Sequence, residues 1–327
     1  MYHRRFKGTH YDAGYKWGNL LLKKGKKLDY CPAFALTEER YAFANECTIE
    51  YQKYFPEILE EIQGIADGNK VPVETLHALL FSMYCFELNN KCTCFAFSTK
   101  DEIVFARNSD FLVSLENLYM NCLYHLKDSY SFNGNTTAFV QMEDGVNRHG
   151  LAVGITFVYP HLRKPGLNAG MLTRYLLEKC RTTNETLAAL HQLPIADKSG
   201  EIVVIECNPR VIEVIRPRNG EQFVATANNF NSEKMQDYQN PEIDDWRSSE
   251  RYQTVRTALE QNKDGYTIKF AQEVLSGKYG FMCQYNRKQG ADTVWSVLYD
   301  LKRKQVWRVE GNPARKSFKE DSRLKLD

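Results

Sequence analysis

The sequence has no long hydrophobic run, no excess of one charge and no evident disulfide framework. No apolar segment reaches the roughly 18 residues of a membrane span, and no apolar run follows the basic residues near the N-terminus, which argues against export. Lys and Arg number 43 against 41 Asp and Glu, so bulk charge selects neither nucleic acid nor a membrane as partner. The nine cysteines, an odd number scattered through 327 residues, favour reduced thiols. We therefore expect a soluble, cytoplasmic protein.

Repeats, low-complexity tracts and Pro/Gly-rich linkers are also missing, so residues 92–327 are expected to form one domain. The seven histidines lack the spacing of metal ligands, and His149 in NRHG fits a turn better than a general base. We expect neither a metal nor a cofactor.

The first 90 residues are predicted to be mostly helical. Apolar residues recur at helical spacing over 37–66 with Pro56 as the only interruption, which indicates two consecutive helices. A further helix is expected from Pro72 to about Leu88.

From residue 92 the hydrophobic period changes to two, which predicts strands. Asn133-Gly134 is read as a turn between two of them. Helical blocks are expected at 168–192, where a break near Thr182 divides the block into two helices, and at 247–261. Residues 292–311 are expected to form a closing hairpin. Strand blocks that alternate with helical blocks predict an α+β fold with sheets packed on each other and covered by helices. The predicted strands are CTCFAFS, EIVFARN, NLYMNCLYHL, TTAFVQM, GLAVGITFVY, EIVVIEC, VIEVIRP and EQFVATA.

The stretch NNKCTCFAFSTKDEIVFARNSDF combines a hairpin pattern with reactive side chains. If Lys100-Asp101 form a two-residue turn, Cys92 faces Ser109, and a one-residue shift would place it opposite Asp110. Either register brings a thiol, the Arg107 guanidinium and a carboxylate within about 5 Å between facing positions. The open end of this hairpin is therefore a candidate catalytic site.

Other interpretations fit the same spacing. Cys92 could be buried packing with Arg107 and Asp110 as a structural ion pair, or Cys92 and Cys94, which share one face of the strand, could be a metal or redox pair. A thiol enzyme would need a base, and no histidine is well placed. Peptide cleavage before Cys92 would supply one, because an α-amino group has a pKa of about 7.7–8.0.

Several motifs resemble the N-terminal nucleophile hydrolases of the acyl-CoA:6-aminopenicillanate acyltransferase type, which are relatives of choloylglycine hydrolase and penicillin V acylase. The similar stretches are GTHYDAGYKWG, FPEILEEIQGIADG, CTCFAFSTKDEIVFARNSDF, MEDGVNRHGLAVGITF, VATANNF, SSERY and TVWSVLYDLKRKQVWRVEGNP, which together cover nearly the whole chain. The resemblance implies a four-layer αββα sandwich over residues 92–327 and a helical propeptide over residues 1–91.

The resemblance also implies roles for individual residues. Cys92 matches the nucleophile, Arg107 the arginine that precedes the conserved carboxylate position, and Asp110 that carboxylate. Asn228 matches the oxyanion asparagine, with Asn229 as the alternative one position on. Arg251 matches a downstream active-site arginine, with Arg287 as its competitor and a surface charge as the simpler explanation of Arg251. A backbone N–H after the MEDG segment is expected to help hold the oxyanion.

The implied function is an amidohydrolase that cleaves linear C–N bonds of a small N-acyl substrate through an S-acyl enzyme, after self-cleavage before Cys92. The alternatives are an acyl-CoA-dependent N-acyltransferase, which would use an acyl thioester and the same nucleophile, and a non-catalytic, unprocessed binding protein. A homo-oligomer is left open.

Overall fold

The computed structural model describes residues 1–29, 35–83, 85–86, 91–158, 163–189, 195–196, 202–207, 212–218, 220–240 and 246–323. Within these ranges, no helix is both long and apolar enough to cross a lipid bilayer.

The N-terminal part holds a strand and helices. Strand β1 (Tyr2–Gly8) leads into α1 (His10–Lys23), and α2 (Glu38–Tyr54), α3 (Pro56–Asn69) and α4 (Val73–Ser82) follow. Pro56 starts α3, where its missing N–H leaves no helical hydrogen bond unmade. The two helices predicted over 37–66 are confirmed. The predicted helix from Pro72 to about Leu88 is shorter than expected. Helix α4 ends at Ser82, residues 83, 85 and 86 are not helical, and residues 84, 87 and 88 lie outside the described residues.

The remaining elements are mainly strands. Helices occur in the two expected blocks, 168–192 and 247–261, and also at 233–236 and 268–275, where none was predicted. The strands are β2 (Lys91–Ser98), β3 (Ile103–Leu112), β4 (Met120–Leu126), β5 (Phe132–Thr136), β6 (Asp144–Asn147), β7 (Ala152–Gly154), β8 (Ile195–Ala196), β9 (Ile202–Cys207), β10 (Ile212–Ile215), β11 (Phe223–Thr226), β12 (Ala291–Asp300), β13 (Gln305–Glu310) and β14 (Lys319–Glu320). The helices are α5 (Ala169–Lys179), α6 (Thr183–Ala189), α7 (Glu233–Gln236), α8 (Ser248–Gln261) and α9 (Ile268–Leu275).

The strands form two sheets that face each other. One has the order β1-β4-β5-β6-β7-β8-β9-β10 and the other β11-β2-β3-β12-β13-β14. Apolar side chains of both sheets fill the space between them, among them Cys94, Phe105, Val146 and Val204. Because strands are two-sided, each sheet also buries its outer face against helices. The α+β prediction is confirmed.

Helices cover both outer faces and complete four layers. Val255 of α8 and Phe270 of α9 pack on the β2–β3–β12 side of the second sheet. Ala13 of α1 and Leu176 of α5 pack on the other face of the first sheet. The architecture is therefore helix, sheet, sheet, helix.

The N-terminal segment is integrated into this architecture rather than wholly helical. Strand β1 pairs in parallel with β4, with Tyr2 opposite Met120 and Gly8 opposite Leu126, so it forms an edge of the first sheet. The sequence prediction did not include this strand, because a parallel strand pairs with a partner distant in the chain and no hairpin turn marks the pairing in the sequence.

Two predictions around residues 133–142 are wrong. Asn133-Gly134 lies inside β5 rather than at a turn, because neighbouring strands supply partners for the asparagine: the Asn121 amide donates to Asn133 Oδ1 at 2.7 Å. Strand β5 ends at Thr136, and residues 137–142, most of the predicted strand TTAFVQM, lie outside any strand, with a φ of 57° at Phe139. Their alternation reflects buried Val140 and Met142, which a turn can bury as well as a strand can.

The segment GLAVGITFVY is a strand over only three residues, Ala152–Gly154. Residues 155–158 follow β7 outside any strand, although the Ile155 N–H still donates to Glu143 O at 2.9 Å. Residue 159 lies outside the described ranges. This departure frees the carbonyl groups of Ile155 and Phe157 for contacts with the hairpin of Cys92.

Candidate active site

The β2–β3 hairpin fixes the position of Cys92. Cys92 faces Ser109 and Lys91 faces Asp110, which confirms the register set by a two-residue turn at Lys100-Asp101. The thiol is fully buried and lies 3.1 Å from the carbonyl oxygen of Ile155. Cys94 Sγ lies 3.8 Å from the same oxygen, so the two thiols do share one face of the strand.

Arg107 brings a positive charge to this side of the sheet. Its Nε donates to Ile155 O at 3.3 Å, and its terminal nitrogens pair with Glu143 at 3.0 Å and with Asp144 at 3.2 Å. Burial raises the pKa of the Cys92 thiol, and the Arg107 guanidinium acts in the opposite direction. Arg107 is therefore the main group on this side that favours a thiolate.

Asn228 touches both reactive ends of Cys92. Its Oδ1 accepts a hydrogen bond from the backbone N–H of Cys92 at 2.8 Å, and its Nδ2 lies 3.8 Å from the thiol sulfur. The same Nδ2 donates to Phe157 O at 2.7 Å. Asn229 instead contacts Asn231 and Ser248, away from the thiol.

Arg251 reaches the hairpin from the helix layer. Near the start of α8, its Nη1 donates to the Cys92 carbonyl at 2.8 Å and to Thr93 Oγ1 at 2.7 Å, and its Nη2 to Asn228 Oδ1 at 3.0 Å. The side chain is fully buried, so its interpretation as a surface charge is wrong.

Arg287, the competing arginine, lies elsewhere. It is 45% exposed and pairs with Glu116 and with Asp292. None of its recorded ion pairs involves the hairpin of Cys92.

Asp110 lies on the helix-facing side of the hairpin, close to Arg251. The two side chains are 3.6 Å apart, and Asp110 accepts hydrogen bonds from Thr293 at 2.5 Å and from Tyr285 at 3.1 Å. Burial raises the pKa of Asp110 to about 6, against the lowering effects of Arg251 and the two hydroxyl groups. This carboxyl group thus titrates near neutral pH.

Sequence reasoning did not single out the carboxylates and hydroxyl groups that hold these side chains. Glu143 and Asp144 stand in the quoted MEDG segment but were given no role, although Asp and Glu are rarely buried unless they are paired. Thr293 and Tyr285 carry no local signal at all, because their partner lies 183 and 175 residues away.

In the described part of the chain, no group of three or more His, Cys, Asp or Glu side chains could hold a metal ion. The described contacts bring a buried thiol, an arginine guanidinium and an amide together at Cys92.

Residues 97–315 match the family model described as acyl-coenzyme A:6-aminopenicillanic acid acyl-transferase, which is more than half of the chain. The chain belongs to this family. The matched range includes Arg107, Asp110, Asn228 and Arg251, and Cys92 stands just before it. Family membership confirms the suspected relationship and identifies the protein as an enzyme of amide-bond hydrolysis or acyl transfer.

Two solved structures show similarity at low identity. Penicillin V acylase from Agrobacterium tumefaciens is 17% identical, with a TM-score of 0.49 over 67% of this chain and 83% of that chain. A mutant form of conjugated bile acid hydrolase from Clostridium perfringens is 16% identical, with a TM-score of 0.48 over 72% of this chain and 98% of that one. No curated protein matches the chain.

Proposed function

We propose that the protein is a cysteine N-terminal nucleophile amidohydrolase that cleaves linear C–N bonds of small N-acyl substrates after scission of its own Lys91–Cys92 bond. The observation that supports this most is that Asn228 contacts the backbone nitrogen of Cys92 and lies beside its thiol. A cysteine that only fills space in the core does not require a side chain that contacts both its backbone nitrogen and its sulfur.

Maturation would begin with attack of the Cys92 thiol on the carbonyl carbon of Lys91. The C–N bond breaks, the Lys91 acyl group moves to sulfur, and the nitrogen of Cys92 becomes a free amine. Water then hydrolyses the thioester. The products are chains of 91 and 236 residues from the 327-residue precursor.

In turnover, the free α-amino group takes the proton of the thiol, since its ordinary pKa suits a base near neutral pH. The thiolate attacks the substrate carbonyl, and the oxyanion that forms is within reach of Asn228 Nδ2, which releases Phe157 O to bind it. The α-ammonium returns the proton to the leaving amine. Water releases the acyl group from sulfur.

The remaining residues would hold these atoms in place. Arg107 supports the thiolate, and Arg251 fixes the Cys92 carbonyl and Asn228 at once. Asp110 faces Lys91 across the hairpin, and in this scheme its carboxylate would balance the charge of the new ammonium group. The segment 1–91 acts as a propeptide in this scheme.

The second candidate is an acyltransferase with the same acyl-enzyme, in which an amine acceptor replaces water and an acyl thioester serves as donor. The description of the matched family favours it. The substrate class is a small N-acyl amide or an acyl thioester in either case. A cytoplasmic location stays a prediction, and the oligomeric state stays open.

Mass spectrometry under denaturing conditions tests the maturation step. We expect two chains, the larger starting Cys-Thr-Cys-Phe. Purified protein is then incubated with N-acyl amino acids, and with acyl-CoA plus an amine, to separate hydrolysis from transfer. An intact 37.9 kDa chain that hydrolyses amides would refute the N-terminal amine mechanism, and an intact chain without activity would favour a binding protein.

A further inference from the structure

The Asp110 carboxylate is held by two hydroxyl groups that have no other evident purpose. Thr293 faces Asp110 across the β3–β12 pair, and its hydroxyl donates to Oδ1 at 2.5 Å. Tyr285 lies in the loop before β12 and donates to Oδ2 at 3.1 Å. The two donors thus bind one oxygen each and fix the plane of the carboxylate.

We propose that Tyr285 and Thr293 are positioning residues that hold the Asp110 carboxylate, in its ionised form, against the N-terminus of Cys92. This inference rests on the proposed function, because it assigns the two hydroxyl groups to the carboxylate that faces the scissile Lys91–Cys92 bond.

The backbone next to Asp110 is irregular in a way that serves this contact. The β3–β12 pairing shifts by one residue between Thr293 and Trp295, just where Thr293 faces Asp110. Register irregularities of this kind re-aim side chains and are common beside active sites. Here the shift lets Thr293 and Asp110 share the helix-facing side, whereas Trp295 lies with Arg107 on the other.

Tyr285 is built to donate. Burial and then the nearby Asp110 raise the pKa of its hydroxyl far above the ordinary value, so the group keeps its proton throughout the working pH range. The ring packs edge-on against Phe281 at 5.3 Å and against Trp246 at 5.8 Å between centroids, which limits its rotation. Its second acceptor, Trp246 O, is more distant at 3.5 Å.

Charged groups approach Asp110 from each packed element. Arg251 of α8 is 3.6 Å away, Lys91 of β2 faces it, and Arg107 of β3 adds a weaker positive field. The Cys283 thiol is near as well, and burial raises its pKa to about 12, so it carries no charge at neutral pH. The two hydroxyl groups are therefore the neutral donors that set the orientation of the carboxylate among these cations.

The first test is a carboxyl ¹³C NMR titration of Asp110 in the uncleaved Cys92→Ala chain, assigned by its loss in Asp110→Asn. Since a hydroxyl donor to a carboxylate favours the charged form, adding Tyr285→Phe is expected to raise the Asp110 pKa by about one unit. Thr293→Val is expected to act in the same direction, and Thr293→Ser to restore the original titration. Tyr279→Phe, in the same region but 39% exposed, is the matched control and is expected to change nothing.

The second test measures kcat and KM of the matured enzyme from pH 6 to pH 8. We expect Tyr285→Phe to lower kcat with little change in KM, and to lower it more at pH 6 than at pH 8, because a larger share of Asp110 is then protonated. Tyr279→Phe is expected to follow the wild-type profile.

An unchanged Asp110 titration in Tyr285→Phe and Thr293→Val would overturn the proposal, and so would a raised pKa with an unaltered kcat profile. Absence of any acyl turnover or scission in the wild type would count against the proposed function instead, and the titration would still measure the contact itself.

Discussion

At the scale of single residues, two thiols in one environment have different contacts. Cys92 and Cys94 are both fully buried, point to the same carbonyl and are exposed to the charge of Arg107. Among the hydrogen bonds recorded for the two residues, only those of Cys92 include Asn228 and Arg251. Neighbouring groups, rather than burial or residue type, single out the candidate nucleophile.

We predict that Cys92→Ala abolishes acyl turnover, by about a thousandfold or more, whereas Cys94→Ala retains most of it. The two substitutions remove the same atom from the same strand face, which makes Cys94→Ala the matched control. Steady-state assays on both variants, with folding verified by circular dichroism, provide the measurement. Equal losses would support a metal or redox pair.

Ionisation of Asp110 is predicted to lower the stability of the fold as the pH rises from about 4 through 6. Burial raises its pKa from 3.8 to about 6, so the folded chain binds this proton more tightly than the unfolded chain does. Its contribution to the free energy of unfolding is fully present below about pH 4 and is lost as the pH rises through 6, by about 3 kcal/mol in total.

Urea unfolding of the Cys92→Ala chain, with and without Asp110→Asn, tests this at pH 4 and pH 7. We expect the stability of the chain that carries Asp110→Asn, relative to its parent, to increase between the two pH values by up to about 3 kcal/mol. An equal stability difference between the two variants at pH 4 and pH 7 would show that ionisation of Asp110 does not destabilise the fold.

At the scale of elements, the spaced glycines of the N-terminal segment allow two helices to touch. A Cβ at Gly14 of α1 would lie 2.0 Å from the Glu61 carbonyl oxygen of α3, and one at Gly64 of α3 would lie 2.3 Å from Tyr11 O. Gly18 and Gly68 repeat the arrangement one turn on. The residues of the GTHYDAGYKWG motif therefore have a packing role that does not depend on chemistry.

We predict that Gly14→Ala lowers the free energy of unfolding by about 1–3 kcal/mol, because backbone atoms cannot give way as a flexible side chain does. Gly166→Ala is the control, since a Cβ there meets nothing within 4 Å. Denaturant midpoints of the two variants decide the matter. Equal midpoints would mean that α1 and α3 can separate without loss.

At the scale of the whole molecule, the N-terminal segment is tied to the rest of the chain by a sheet edge and by buried charges. Strand β1 pairs with β4, and Arg174 of α5 pairs with Glu61 at 2.7 Å and with Glu178 at 2.5 Å. His10 completes the network on Glu178 at 3.0 Å. Although burial opposes it, Arg174 and then His10 lower the pKa of Glu178 to about 2, so this carboxylate stays charged at neutral pH.

We predict that native mass spectrometry of the matured protein still gives the combined mass of both chains, and that Arg174→Met releases residues 1–91 on dilution. Loss of one partner from a buried ion pair typically costs about 3–5 kcal/mol. Arg181→Met removes an ion pair whose arginine is 56% exposed and is the control, expected to keep both chains together. Release of the segment from the wild type would contradict the prediction.

Local geometry could be predicted from the chain alone. Hydrophobic period predicted the helices over 37–66 and 247–261, and a two-residue turn set the register that places Cys92 opposite Ser109. These features depend on neighbouring residues, whose spacing is written directly in the chain. The same pattern gave a wrong prediction at residues 137–142, because alternating apolar residues indicate burial and a buried turn can show the same alternation.

In contrast, the packing of the layers decides which residues distant in sequence contact the hairpin of Cys92. Arg251 lies 159 residues from Cys92 and reaches its carbonyl, whereas Arg287, its competitor in the sequence, pairs with Glu116 at the surface. The hydrogen bonds from Thr293 and Tyr285 to Asp110 could not be predicted from any pattern in the sequence. Hydrogen bonds and ion pairs depend on atomic distances, and those are fixed when the sheets and helices pack rather than by spacing along the chain.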